Sequence, residues 1–138
     1  MAMTRVQAET VIVSRAGPLM EAAGMVVTVV GTNADLNDSL AWATRKLGYT
    51  TADASTVSDT ELASVAVAEY DDFLDLAEYR TLLSIVTNLD DVDIVAGPRA
   101  EKLSQLVSRV LRRIDRLEAK LTDILYELNV SYVDLDFA

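Results

Sequence analysis

The sequence predicts a mainly α-helical protein, a small helical bundle built on two long helices at about 59–89 and 99–128. An apolar seam whose steps alternate between four and three residues runs through the second segment. The first segment contains neither glycine nor proline. Hydrophobic residues make up 51% of the 138 residues and aromatic residues only 6%, a composition typical of a core of packed helices rich in alanine, leucine and valine.

The seam of the second long helix is the most regular pattern in the chain. Its constant seven-residue repeat predicts a helix that packs along another helix. Leu106, Leu111 and Leu125 widen the apolar face, which favours packing within a multi-helix body over a free two-stranded coiled coil. The seam consists of Leu103, Val107, Val110, Ile114, Leu117, Leu121, Ile124 and Leu128.

Two further sequence signals predict where helices begin. Asn33 is a candidate N-cap for a helix that ends before Gly48. Ser58 and Glu61 match the S-x-x-E capping box, which would begin the first long helix.

The first 33 residues give weaker signals. Apolar residues between Val6 and Val13 indicate a short amphipathic element, either helix or strand, which Gly17-Pro18 is expected to break. The segment Met25–Val30 is rich in β-branched residues and bounded by glycines, so a strand or extended segment is favoured, with a helix as the alternative.

These elements predict one domain, 1–138, made of the N-terminal segment 1–33, a helical body 34–128 and an extended tail 129–138. A short extended arm is expected near 90–98, because aspartates there oppose helix and Gly97-Pro98 ends the arm. The tail alternates apolar and acidic residues, and either docks on a partner or folds back on its own domain. Its apolar residues are Val130, Tyr132, Val133, Leu135 and Phe137.

Composition excludes several kinds of chemistry. The chain has no cysteine and no histidine, which removes thiol nucleophiles, disulfides, imidazole acid–base catalysis and the usual zinc sites. A net charge of −10 argues against binding nucleic acid by neutralising its phosphates. No long apolar run predicts a membrane span or signal peptide. We therefore expect a cytoplasmic protein that is not an enzyme and has no cofactor.

An acidic cluster in the first long helix needs separate consideration. Asp71, Asp72 and Asp75 match the D-D-x-x-D spacing with which some enzymes hold diphosphate through Mg²⁺. A solvated acidic helix face explains the same residues more simply, because charge runs usually face water. We predict no metal site here, and a small magnesium-dependent enzyme is the alternative.

Basic residues concentrate in the second long helix. Seven of the twelve lysines and arginines lie between Arg99 and Lys120. One interpretation is a stripe that docks on an acidic protein surface, and another is a helix whose arginines pair with Asp115 and Glu118 along the helix. A third, nucleic-acid binding by the stripe, is less favoured because no aromatic residues are interleaved and the domain is acidic. The candidate interaction residues are Arg99, Lys102, Arg109, Arg112, Arg113 and Arg116, together with the apolar residues of the tail.

The order of elements in the chain resembles that of a known family. A capped helix is followed by a characteristic stretch and then by a long helix. The stretch is Val92-Asp93-Ile94-Val95-Ala96-Gly97-Pro98-Arg99-Ala100-Glu101-Lys102-Leu103-Ser104-Gln105. Over about residues 34–128 the chain resembles the head–tail connector (adaptor) proteins of tailed bacteriophages. The resemblance implies a virion structural protein without catalysis, located in the neck between capsid and tail and assembled in the host cytoplasm.

The same resemblance implies specific partners. Copies would form an oligomeric ring of about twelve below the portal protein. The ring would contact a tail-side neck component, and DNA would pass through its channel without sequence-specific binding. The alternative function is a helical oligomeric regulatory or protein-binding module.

Overall fold

The structure is a computed structural model that describes residues 3–49, 57–90 and 98–125. Within these ranges all regular secondary structure is helical, which confirms the predicted fold class. The elements are α1 (Arg5–Ala22), a 3₁₀ turn (Ala34–Leu36), α2 (Asn37–Lys46), α3 (Asp59–Leu62), a second 3₁₀ turn (Val67–Glu69), α4 (Tyr70–Asp90) and α5 (Pro98–Lys120).

Helix α4 is the centre of the bundle. It packs against α1, α2 and α5. Six consecutive residues, Phe73–Glu78, are buried, so this part of α4 has no solvent face. The core around it includes fully buried side chains from α1, α2 and α4, namely Ile12, Met20, Leu40, Phe73, Leu76, Leu82 and Ile85.

Sequence signals delimit α1 at both ends. At its start the Thr4 hydroxyl accepts a hydrogen bond from the Gln7 N–H at 3.2 Å, and the Gln7 carboxamide accepts one from the Thr4 N–H at 3.0 Å. This reciprocal pair is a capping box. At its end Gly24 has a φ of 77°, and the Met25 N–H donates to the Met20 carbonyl at 2.9 Å. That arrangement is a Schellman motif, which requires a left-handed residue and so favours glycine.

The prediction that Gly17-Pro18 breaks this element is wrong, because α1 runs past both residues. Proline in a helix interior removes one hydrogen bond and costs about 3 kcal/mol. The carbonyl that loses its partner belongs to Ser14, which is exposed, so water can replace the missing donor. Leu19 and Met20 are buried directly after the proline, and burying each such side chain stabilises by about 1.5–3 kcal/mol. Tertiary packing therefore offsets the proline.

The segment Met25–Val30 is not a strand in the described part of the chain. Its exposure alternates with a period of two, as in a strand, but its backbone groups bond to side chains. The Asn33 amide donates to the carbonyls of Val26 at 2.8 Å and Thr28 at 3.2 Å. The Val26 N–H donates to the Asp35 carboxylate at 2.6 Å. Side chains thus satisfy groups that a sheet would otherwise pair.

A buried ion pair fixes the connection between α1 and α2. Arg5 is 3% exposed and Glu9 is fully buried, and Arg5 Nε lies 2.7 Å from Glu9 Oε2. Glu9 Oε1 accepts from the N–H groups of Val30 at 3.1 Å and Gly31 at 2.9 Å. Glu9 Oε2 also accepts from the Asn33 N–H at 3.0 Å. The carboxylate therefore fulfils the hydrogen-bonding requirement of the loop backbone, as buried polar groups must.

The Arg5 guanidinium completes this network. It donates to the carbonyls of Val57 at 2.9 Å and Asn33 at 2.8 Å, and to the Asn37 side chain at 2.7 Å. Burial alone raises the pKa of Glu9. The hydrogen bonds from Gly31, Arg5 and Asn33, with the charge of Arg5, lower the pKa by more, so the net shift is downward. Glu9 is therefore held as a carboxylate.

The capping predictions for the next helices are confirmed. The Asn33 side chain accepts from the Asp35 N–H, and the first turn after Asn33 is 3₁₀ before α2 continues. Gly48, with a φ of 91°, lies directly after the C-cap of α2. The Ser58 and Glu61 capping box begins α3.

The helix predicted over 59–89 is divided, so the prediction of one continuous helix is wrong. α3 ends at Leu62 and α4 begins at Tyr70. The Ala66 N–H, which would bond to the Leu62 carbonyl in a continuous helix, donates instead to the Tyr49 hydroxyl at 3.1 Å. A distant side chain, and not a helix-breaking residue, therefore replaces the helical hydrogen bond.

Helix α5 carries the predicted seam. Val110, Ile114, Leu117 and Leu121 are buried, and Val107 and Ile124 are partly buried against the core. Leu103 lies within α5, and Leu128 is outside the described residues.

Leu106 and Leu125 widen this face as expected, whereas Leu111 is 46% exposed, so its assignment to the apolar face is wrong. The regular helix ends at Lys120, not at 128. An irregular turn at Leu121 follows, and residues 122–125 are helical again. The predicted arm between the long helices and the predicted tail fall on 91–97 and 126–138, outside the described residues.

Candidate functional site

Two buried carboxylates lie where α1, α4 and α5 meet. Asp75 and Glu78, one turn apart on α4, are each 4% exposed. Arg15 of α1 bridges them, with its Nη1 atom 3.0 Å from Asp75 Oδ1 and 3.3 Å from Glu78 Oε2. Lys120 Nζ of α5 lies 2.7 Å from Asp75 Oδ2. The interpretation of Asp75 as part of a solvated acidic face is therefore wrong, although Asp71 is exposed.

Arg113 completes the cluster from α5. Its Nη2 atom donates to Glu78, and its Nη1 atom donates to the Arg15 carbonyl at 2.7 Å. The hydrogen bond to Asp75 and the charge of that carboxylate raise the pKa of Lys120. The cluster joins three helices through charge-assisted hydrogen bonds and holds the side chains of Arg15 and Arg113 in place.

A groove of about 350 Å³ lies above this cluster, between α1 and α5. The α1 side is formed by Pro18 and Leu19 with Arg15, and the α5 side is formed by arginines. We call this the arginine groove. Its lining residues are Arg15, Pro18, Leu19, Arg109, Arg112, Arg113 and Arg116. A neighbouring depression with Ser104, Gln105 and Ser108 shares Arg109 and Arg112 with it and extends the polar surface along α5.

The arginines of the groove fall into two groups. Arg15 and Arg113 are half-buried and paired with carboxylates. Arg109, Arg112 and Arg116 are exposed, and no carboxylate of the described residues lies within ion-pairing distance of them. We call these three residues the arginine rim. It is a concentration of positive charge on a chain whose net charge is −10.

The three arginines of the rim lie on one face of α5. Arg109, Arg112 and Arg116 are spaced by three and four residues, so they follow one face of the helix. Asp115 is three residues from Arg112 and so is its neighbour on the helix surface, but the two form no ion pair in the described part of the chain. Glu118 accepts a hydrogen bond from the Tyr79 hydroxyl at 3.0 Å. The expected pairing of these arginines with Asp115 and Glu118 along the helix is not found in the described part of the chain.

Guanidinium groups define what the groove can bind. Arginine remains protonated in proteins, and its planar fork donates two parallel hydrogen bonds to a carboxylate or phosphate. Pro18 and Leu19 add apolar surface on the opposite wall. The arrangement therefore suits an anionic group attached to an apolar body.

The remaining predicted site residues are placed as follows. Arg99 and Lys102 lie in the first turns of α5. Val130, Tyr132, Val133, Leu135 and Phe137 fall outside the described residues.

Sequence reasoning missed the α1 wall of the groove and the role of Glu78. One available signal was Asp75, which lies within the apolar run Phe73–Ala77, together with Glu78 directly after it. Carboxylates in a buried stretch need cationic partners.

In the described ranges no group of three acidic side chains is arranged to hold a metal ion. No helix there combines the length and apolar character needed to cross a bilayer.

Comparison of the chain with protein-family models, curated proteins and solved structures finds no significant match.

Proposed function

We propose that this chain is a non-catalytic assembly protein of the head–tail connector type. Copies would associate into a ring below the portal and continue the DNA channel to the tail. The observation that carries the proposal is the arginine rim, which has no carboxylate partner in the described part of an otherwise acidic chain.

Charge distribution favours association between copies. A basic patch and acidic surfaces on the same chain are complementary, so one copy can present the patch and the next the acidic surface. Such a contact joins different surfaces of the two copies, and repetition of it closes into a ring when the rotation allows.

The interior charges support a structural role. Within the described residues Glu9 pairs with Arg5, and Asp75 and Glu78 pair with Arg15, Arg113 and Lys120. These groups hold helices together, as structural ion-pair networks do.

The proposed neighbours follow from the resemblance to connector proteins. They are the portal protein on one side and a tail-side neck component on the other, in the neck of a virion assembled in the host cytoplasm. A net charge of −10 suits a channel that DNA passes without adhering, because like charges repel phosphates.

The test is the assembly state of the full chain. Sedimentation velocity and native mass spectrometry at about 0.05 M and about 0.5 M salt would measure it, because added salt screens charge pairs. Negative-stain microscopy would identify rings. The variant Arg112→Gln/Arg116→Gln removes two rim charges. The control Ala63→Glu/Ala68→Glu changes net charge by the same two units at exposed positions outside the groove.

We expect salt-sensitive oligomers that the control variant forms normally. The rim variant should associate about 10- to 100-fold more weakly, at about 1.4 kcal/mol for each tenfold change. A chain that remains monomeric under all conditions would refute the proposal. A discrete dimer that ignores the rim substitutions would favour the alternative, a helical regulatory or protein-binding module.

A further inference from the structure

The arginine groove needs an anionic occupant of a particular shape. Its α5 wall presents guanidinium groups along one helix face, and its α1 wall presents Pro18 and Leu19. A single phosphate would use the first wall only. An extended peptide that carries acidic side chains on one side and apolar side chains on the other would use both walls.

We propose that the segment Val133–Phe137 of a neighbouring copy occupies the arginine groove. Its sequence is Val-Asp-Leu-Asp-Phe, which alternates apolar and acidic residues without interruption. In an extended backbone Asp134 and Asp136 project to one side, while Val133, Leu135 and Phe137 project to the other. The segment therefore matches the two walls of the groove in chemistry.

The spacing of the two aspartates in this segment is close to the spacing of the arginines along the rim. Two residues apart in an extended chain, the Asp134 and Asp136 positions are separated by about 6.6 Å. Along α5, Arg112 lies about 4.5 Å from Arg109 and about 6 Å from Arg116. Arginine side chains have enough length to absorb the difference, so each aspartate can meet a separate guanidinium of the rim.

Docking onto a neighbouring copy rests on the proposed self-assembly. If the segment of each copy enters the groove of the next, every copy uses one groove and supplies one segment, and the contact propagates around a ring. Docking within one copy would neutralise the rim and leave the charge pattern without a role in assembly.

Disulfide trapping on the full chain tests the proposal, because the natural chain has no cysteine. One variant carries Ser108→Cys, at an exposed position beside Arg109 and Arg112. A second variant carries Ala138→Cys, directly after the segment. The two are mixed in equal amounts and mildly oxidised, and mass spectrometry compares mixed with symmetric disulfide dimers. A double variant with both cysteines detects a disulfide within one chain.

We expect mixed dimers in about tenfold excess over symmetric ones, a difference of about 1.4 kcal/mol. Adding Arg112→Gln/Arg116→Gln to the Ser108→Cys chain should abolish the excess, and adding Ala63→Glu/Ala68→Glu should preserve it. Statistical proportions of mixed and symmetric dimers would overturn the proposal. A disulfide formed only within single chains would also overturn it.

The assembly state separates this failure from failure of the proposed function. Rings that form without excess mixed dimers would mean that the chain assembles but that another surface fills the groove. A monomeric chain without mixed dimers would overturn both.

Discussion

Replacement of Glu9 by glutamine tests the buried ion pair that organises the first forty residues. Glutamine preserves the shape of the side chain but removes its charge and replaces one acceptor oxygen with an NH₂ group. In the structure each carboxylate oxygen accepts two hydrogen bonds. Oε1 accepts from Val30 and Gly31, and Oε2 accepts from Arg5 and Asn33. The variant can satisfy only one of these pairs.

The expected loss follows from those contacts. Two donors lose their acceptor, at about 1–3 kcal/mol for each buried group left unsatisfied. Arg5, which is 3% exposed, also loses its counterion. Removing one partner of a buried ion pair typically costs about 3–5 kcal/mol in total, and we expect the free energy of unfolding to fall by that amount. A domain of this size has about 5–15 kcal/mol in all, so the variant would be severely destabilised.

Urea denaturation followed by circular dichroism measures the effect. Glu21→Gln is the matched control, because Glu21 is an exposed glutamate on the same helix, and its loss should change stability by less than about 0.5 kcal/mol. The pH dependence gives a second measurement. The pKa of Glu9 is lowered in the folded chain, so its contribution is complete above the ordinary glutamate pKa of about 4.3 and is lost as pH falls through the lower folded pKa.

The difference between wild type and Glu9→Gln should therefore be largest near pH 7 and narrow below about pH 4.3. A variant as stable as the Glu21→Gln control at pH 7 would refute the assignment of a structural role to the pair. If the difference in free energy of unfolding between wild type and Glu9→Gln stayed constant over the acidic range, the charge of Glu9 would not be the cause of the stability loss.

Three other predictions follow from packing, backbone and charge. Ile114→Asp should destabilise by several kcal/mol in thermal unfolding because Ile114 is 5% exposed, and the exposed Leu111→Asp should not; equal stabilities would contradict the seam. Gly31→Ala and Gly24→Ala should each cost about 1–2 kcal/mol in urea unfolding, since both glycines have positive φ. Gly31→Ala should lower the free energy of unfolding more, because its Cβ would lie 3.1 Å from a side-chain carbon of Val6. An equal or larger loss for Gly24→Ala would contradict this geometry. Calorimetric titration with Mg²⁺ should give no binding tighter than about millimolar, because the Asp75 carboxylate is already ion-paired with Arg15 and Lys120. A saturable micromolar site would instead support a metal-dependent function.

Helices with local signals at their ends were predictable from the sequence. Asn33, Ser58 and Gly48 act within one turn of their own position, so their patterns survive in any tertiary context. The errors arose where tertiary contacts override local signals, by packing after Pro18 and by hydrogen bonding at Ala66. The Tyr49 hydroxyl takes the N–H of Ala66 from 17 residues away, and no local pattern contains that information.

The candidate site shows the same division. The rim of Arg109, Arg112 and Arg116 could be predicted because a single helix generates it by spacing alone. The other wall could not be predicted, because Arg15 contacts Asp75 from 60 residues away. Whether a carboxylate in a helix is a solvated charge or a buried tie between helices depends on which helices pack around it.

The position of α4 has a consequence for how the chain unfolds. An element enclosed by α1, α2 and α5 is not expected to persist once one of them leaves, because its apolar side chains would then face water. Loss of α1 or α5 would also remove cationic partners of its two buried carboxylates. Partial opening is therefore disfavoured relative to complete unfolding. We expect the slowly exchanging amide protons of α1, α4 and α5 to share one opening free energy, so that these three helices behave as a single cooperative unit.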